Sequence, residues 1–185
     1  MKQQLFFLHS GGPQGPHEGS NDFVAWLNLQ LAHDYEIIHP VMLHPEAPDY
    51  QAWKPRLQEE LARLRDGVLL IGHSLGGSLL LKYLAEESIS FSMDGLFLIG
   101  APYWGGDDNW QHPPFNLPAD FPATLPNIAH IFLYQSQDDP IVSSTHLGLY
   151  AKAMPQAIAR MLKGSDHIFA SGLPELANDL KSVSE

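Results

Sequence analysis

The chain has 185 residues, 44% of them hydrophobic, with ten basic against 21 acidic side chains and a formal net charge of −11. That length and apolar content suit one domain with a sizeable core, and the acidic balance argues against nucleic-acid phosphate as a partner. Cysteine is absent, which excludes disulfides, thiolate nucleophiles and thiolate metal sites.

Gln4–His9 reads as the first strand, with an apolar core of Leu5–Leu8. That core is far shorter than the ~7–15 residues of a secretory h-region, and no run approaches the ~18 apolar residues of a membrane span. The expected location is therefore the cytoplasm, with no membrane contact. Asn21–His33 reads as a helix with Asn21 as N-cap and Phe23, Trp26, Leu27 and Leu31 on one face. Tyr35–Leu43 is extended, and Pro40 makes it an edge strand or one that ends early. Tyr50–Arg65 sets Trp53, Leu57, Leu61 and Leu64 at three- and four-residue spacing, an amphipathic helix. Val68–Ile71 is a buried strand, Leu75–Ala85 a helix and Met93–Ile99 a strand. Ile128–Tyr134, Ser143–Lys152, Ala157–Leu162 and Leu173–Lys181 continue as strand, helix, strand and helix. Such alternation implies an α/β fold with a mainly parallel sheet of about six strands and helices on both faces. Residues 1–185 are expected to form this one domain, with no large cap domain.

One stretch breaks the alternation. Between Gly100 and Pro126, prolines and glycines alternate with five large rings, Tyr103, Trp104, Trp110, Phe115 and Phe121. Long irregular runs in a compact domain are usually functional or disordered, and disordered segments lack rings. The rings either seal the edge of the core or form a short lid over 101–126. The lid reading, with Tyr103, Trp104 and Trp110 lining a substrate pocket, is the expectation to test.

The chemistry concentrates at Gly72-His73-Ser74-Leu75-Gly76, between the strand at Val68 and the helix at Leu75. In that setting G-x-S-x-G is a nucleophile elbow: the turn is so tight that the positions two before and two after the serine have no room for a side chain. Ser74 is the expected nucleophile and the Leu75 N–H an expected oxyanion donor. A serine hydroxyl needs a base, and the base needs an orienting acid; with this elbow they follow in the order Ser, acid, His. After the strand at Ile128 comes Gln135-Ser136-Gln137-Asp138-Asp139-Pro140-Ile141-Val142. After the strand at Ala157 comes Lys163-Gly164-Ser165-Asp166-His167-Ile168-Phe169. All three groups thus follow the carboxyl ends of strands, where open parallel sheets place their sites.

Gly-His-Ser-Leu-Gly-Gly, Ser-Gln-Asp-Asp-Pro-Ile-Val and Ser-Asp-His-Ile-Phe together resemble the α/β-hydrolase superfamily. Within it, the chain resembles the compact serine hydrolase family that includes the retinoblastoma-binding serine hydrolase. The resemblance implies a triad of Ser74, the second acid Asp139, and His167. Pro140 supports Asp139 by restricting it to extended backbone, while Asp138 is expected to face solvent. Where many relatives have His-Gly after the first strand, this chain has His9-Ser10-Gly11-Gly12. Gly11 is the expected second oxyanion donor.

Ten histidines raise the question of a metal, but none of them shows recognised ligand spacing, and neither a metal nor an organic cofactor is expected. His73 is expected to pack and hydrogen-bond, pointing away from the nucleophile. The expected activity is hydrolysis of a small ester-type or acyl substrate through an acyl-enzyme, carboxylesterase-like, with thioesterase and amidase chemistry left open by the residues. The alternative is a protein-binding or regulatory module on a hydrolase scaffold, although no residue pattern indicates a protein partner.

Overall fold

The computed structural model describes residues 1–184 and leaves Glu185 outside the described residues. Six strands, β1 (Gln3–Leu8), β2 (Tyr35–Ile38), β3 (Val68–His73), β4 (Met93–Ile99), β5 (Ile128–Ser136) and β6 (Ile158–Leu162), form one parallel sheet in the order β2-β1-β3-β4-β5-β6. Between them run helices α1 (Asn21–Leu31), α2 (Tyr50–Leu61), α3 (Leu75–Glu86), α4 (Phe121–Thr124) and α5 (Thr145–Ala153), and α6 (Pro174–Val183) follows β6.

The period-two geometry of a strand explains why these runs are apolar throughout. Leu5 and Phe7 of β1, Leu69 and Ile71 of β3, and Phe97 and Ile99 of β4 enter one core, which α1 and α6 cover with Phe23, Leu27, Leu176 and Leu180. Their alternates Phe6, Leu8, Leu70, Leu96 and Leu98 enter the other, covered by Trp53 and Leu57 of α2, Leu79 and Leu84 of α3, and Tyr150 of α5. Both faces of the sheet are therefore dry, as a parallel sheet requires.

Local departures from the expected elements have local causes. β2 stops at Ile38, ahead of Pro40, and is an edge strand. The α1 cap position is Ser20, not Asn21. The Ser20 hydroxyl is drawn into the interior and does not cap the helix, while the Asn21 amide ties down the carbonyls of Gln14 and Gly15. The chain runs from β1 outward to β2, then back across to β3 on the other side of β1. The crevice between the carboxyl ends of β1 and β3 lies at this switch point, the place where open α/β sheets hold their ligands.

No helix among the described residues is long and apolar enough to cross a membrane. At the far edge of the sheet, Asp179 of α6 accepts from the Tyr134 hydroxyl at 2.6 Å and from Arg160 at 2.6 Å through two nitrogens. Asp179→Ala leaves the buried Tyr134 hydroxyl without its partner. The expected loss of folding stability is about 1–3 kcal/mol, read by urea unfolding; an unchanged midpoint would show that the cluster contributes nothing.

Candidate active site

The turn between β3 and α3 is built by exclusion of side chains. A Cβ on Gly72 would stand 2.4 Å from Gly77 Cα, and one on Gly76 would stand 2.3 Å from the His9 carbonyl oxygen. One on Gly77 would stand 2.8 Å from Ala101 Cβ. With nothing at those places, α3 starts directly against the end of β1. Ser74 then takes φ 52°, ψ −125°, a conformation that L residues rarely adopt. Its N–H donates to the Ile99 carbonyl at 2.8 Å, which holds the turn. The Ser74 side chain stands above the sheet, and Leu75 begins α3 with an N–H that has no intrahelical partner.

The loops after β5 and β6 close on Ser74. The His167 Nε2 lies 2.9 Å from Ser74 Oγ, and its Nδ1 lies 2.7 Å from Asp139 Oδ2. The Asp139 carboxylate also accepts from Gln135 Nε2 at 2.8 Å and from the N–H groups of Ile141 at 2.8 Å and Val142 at 2.9 Å. An ionised carboxylate only accepts, so the proton of this pair sits on His167 Nδ1 and the Nε2 lone pair faces the Ser74 hydroxyl. Burial raises the Asp139 pKa, but the hydrogen bonds from His167, Val142 and Ile141 outweigh it, and the carboxyl lies below its ordinary value. Asp138 is exposed, and among the described residues its carboxylate has no hydrogen bond or ion pair with His167. Of the two adjacent acids the structure brings Asp139 to the histidine.

Three residues that sequence reasoning passed over, or left without a specific role, complete the arrangement. Gln135 is buried and bonds both the Asp139 carboxylate and the Val142 carbonyl; a polar residue ending an apolar strand was the available signal. Gly100 has φ 55°, and a Cβ there would come 3.4 Å from the His167 ring. His73, fully buried, packs its ring against Phe23 and Phe169.

At the loop after β1, the Ser10 N–H donates to Ser20 Oγ at 2.9 Å and the Gly12 N–H to the Pro45 carbonyl at 2.7 Å. Among the described residues no acceptor takes the Gly11 N–H. Gly11 packs against Leu75, 3.1 Å from the Leu75 Cδ2 to the place of a Cβ. A cleft of about 310 Å³ opens above Ser74, walled by residues 10–13 and by Leu75, Ile141, His167 and Ile168.

The expected lid residues do not line that cleft. Trp104 packs on Trp110 (ring centroids 4.8 Å apart) and Phe115 (5.2 Å), and Trp110 packs on His146. Tyr103 packs on Tyr150 and Phe121 and lines a separate cavity of about 520 Å³ beside α5. The segment is pinned: Ser78 Oγ and Tyr150 Oη both donate to the Pro102 carbonyl, Lys82 Nζ donates to Asn116, and the Tyr103 N–H donates to His146 Nδ1. These bonds hold the rings over the α3–α5 core, so they seal its edge and do not roof Ser74.

Comparison with known proteins gives the family and the fold. A family model described as serine hydrolase matches residues 17–181. No curated protein matches the chain in sequence. Among solved structures, the ydeN gene product from B. subtilis superposes with a TM-score of 0.78 at 19% identity, over 99% of this chain and 98% of that one. A pyrethroid hydrolase from Sphingobium faniae JZ-2 gives 0.68 at 14%, over 98% and 97%. An esterase from Exiguobacterium antarcticum gives 0.68 at 17%, over 99% and 92%. At these identities the likeness is one of fold.

Two outcomes are expected. Trp104→Ala removes a ring from the sealed edge and costs about 2–4 kcal/mol of stability, with preference among acyl esters unchanged; altered preference at unchanged stability would restore the lid. The second concerns pH. Burial, and then the nearby His167 ring, lower the His73 pKa to about 3, while the unfolded chain keeps ~6.5. Below pH 6.5 the unfolded state binds a proton that the folded state refuses, so stability falls as pH drops from 6.5 towards 3. The slope for this side chain reaches about 1.4 kcal/mol per pH unit. His39, lowered to about 4 mainly by burial, adds to the same trend. Urea unfolding at pH 7, 6 and 5 measures the slope, and His73→Gln should make it shallower.

Proposed function

The chain belongs to the serine hydrolase family, and from that premise we propose that it hydrolyses small, uncharged ester-type substrates through Ser74, His167 and Asp139. The observation that carries the reading is the continuous hydrogen-bonded chain Ser74–His167–Asp139 at the floor of an open cleft. His167 Nε2 takes the hydroxyl proton as Ser74 Oγ bonds to the substrate carbonyl carbon. The carbonyl oxygen becomes an oxyanion facing the N–H groups of Leu75 and Gly11. Leu75 lies at the positive end of α3, which favours that charge. The intermediate collapses, the ester C–O bond breaks, and His167 gives its proton to the leaving alkoxide. Water then adds to the acyl-enzyme, passing a proton to His167 and from there to Ser74 Oγ, and the carboxylic acid leaves. Asp139 keeps the imidazole in the reactive tautomer and stabilises it while it carries two protons.

The walls of the cleft support the substrate class. Pro13, Leu75, Ile141 and Ile168 are apolar, and among the described residues no Lys or Arg lines the site. Ile141 and Ile168 are 57% and 41% exposed, so their apolar surface is available to an acyl or alcohol group. A substrate carrying a carboxylate would find no cation there, on a protein whose net charge is already −11.

A fluorophosphonate should modify Ser74, identified by peptide mass, and Ser74→Ala should not label. Asp139→Asn should lower ester turnover by up to about 10⁴-fold through the wrong histidine tautomer, while Asp138→Asn keeps near-normal turnover. A wild-type protein that neither labels nor turns over a panel of short acyl esters would favour the protein-binding alternative.

A further inference from the structure

His73 is the last residue of β3, directly before Ser74, and its ring points down into the α1–α6 core. Both ring nitrogens are engaged. Nε2 lies 2.8 Å from the backbone carbonyl oxygen of His167, and Nδ1 lies 2.8 Å from Ser20 Oγ. A carbonyl only accepts, so Nε2 carries the proton and Nδ1 must accept the Ser20 hydroxyl proton. Ser20 Oγ in turn accepts the N–H of Ser10, in the loop that carries Gly11. One proton order satisfies these three bonds, with the Ser10 hydroxyl 3.2 Å from Ser20 Oγ beside them. The His73 ring also lies against the His167 ring, centroids 5.5 Å apart.

We propose that His73, with Ser20 behind it, is a positioning residue for His167: it holds the backbone of the His167 loop and, through Ser10, the Gly11 loop in register with Ser74. The inference rests on the triad reading above. Packing alone gives no reason for an imidazole here. The ring is surrounded by Phe7, Phe23 and Phe169, where a phenyl ring would fit without the desolvation cost of two nitrogens. The network links three elements far apart in sequence, at residues 10–20, 73 and 167, and each carries or adjoins a group that must meet at one carbonyl carbon. Misplacing such a group by about 1 Å can cost on the order of 100-fold in rate. The low His73 pKa agrees, since a neutral ring keeps the same donor and acceptor across the working range of pH.

The test compares His73→Phe, His73→Gln and Ser20→Ala with wild type, by ester kinetics, fluorophosphonate labelling rate and thermal unfolding. His73→Phe should lower kcat and labelling rate by about 10- to 100-fold with KM little changed, without a matching fall in melting temperature. His73→Gln, whose amide N–H reaches towards the His167 carbonyl, should recover most of that loss. If His73→Phe does not fold, Ser20→Ala decides, with kcat expected to fall at constant KM. Wild-type kcat in a folded His73→Phe, or failing its folding in Ser20→Ala, overturns the inference. So does a His73→Gln as impaired as His73→Phe. In those cases wild type still labels at Ser74 and the triad reading stands. A wild type that does not label overturns the triad reading and this inference with it.

Discussion

The site depends on one steric constraint, the turn that forces Ser74 to φ 52°, ψ −125°. A backbone held in such a region costs about 1–3 kcal/mol and persists only where its surroundings over-determine it. Here they do. Gly72, Gly76 and Gly77 let α3 press against β1 and β3 at distances no side chain would allow. The Ser74 N–H is held by the carbonyl of Ile99, the last residue of the neighbouring strand β4. The strain aims the hydroxyl out of the sheet and leaves the first N–H groups of a helix beside it.

The sheet then supplies the remaining groups. Parallel strands deliver all their carboxyl ends to one edge, so the loops after β1, β3, β5 and β6 meet there whatever their separation in sequence. Each loop is held by bonds that leave one functional atom over. Asp139 is fixed by two backbone N–H groups on Oδ1, and its Oδ2 accepts from both Gln135 and His167. The Gly11 loop is fixed through Ser10 and Gly12. The Ser74–His167–Asp139 chain thus belongs to a buried polar network, where low local dielectric strengthens such bonds.

The aromatic segment after β4 does different work. Its rings lie over the core beneath α3 and α5, and its backbone is bonded to both helices. The cleft at Ser74 is left open on that side, with a wall of small loops and two isoleucines.

Strand–helix alternation, the two-faced apolar strands and the Gly-flanked serine were all legible in the sequence, because each follows from short-range geometry: the period of two in a strand, the period near 3.6 in a helix, and the space a Cβ needs. Strand ends pointed to the loops that hold Asp138, Asp139 and His167, while the triad of Ser74, Asp139 and His167 was implied by the family resemblance, with Pro140 supporting Asp139. What tertiary structure alone decided is where side chains from distant segments meet. A dense run of rings says that apolar surface will be buried, but not against which element, so Tyr103, Trp104 and Trp110 read as a pocket and belong to the rim of the core. Asn21 reads as the helix cap, yet Ser20 takes the cap position and turns its hydroxyl inward to His73, 53 residues away. Gln135 has no role legible in the sequence and His73 only an unspecified hydrogen bond, until the fold sets Asp139 and the carbonyl of His167 beside them. Periodicity is a local property and is written along the chain; a hydrogen-bond partner is a matter of three-dimensional distance, and only the packed sheet fixes it.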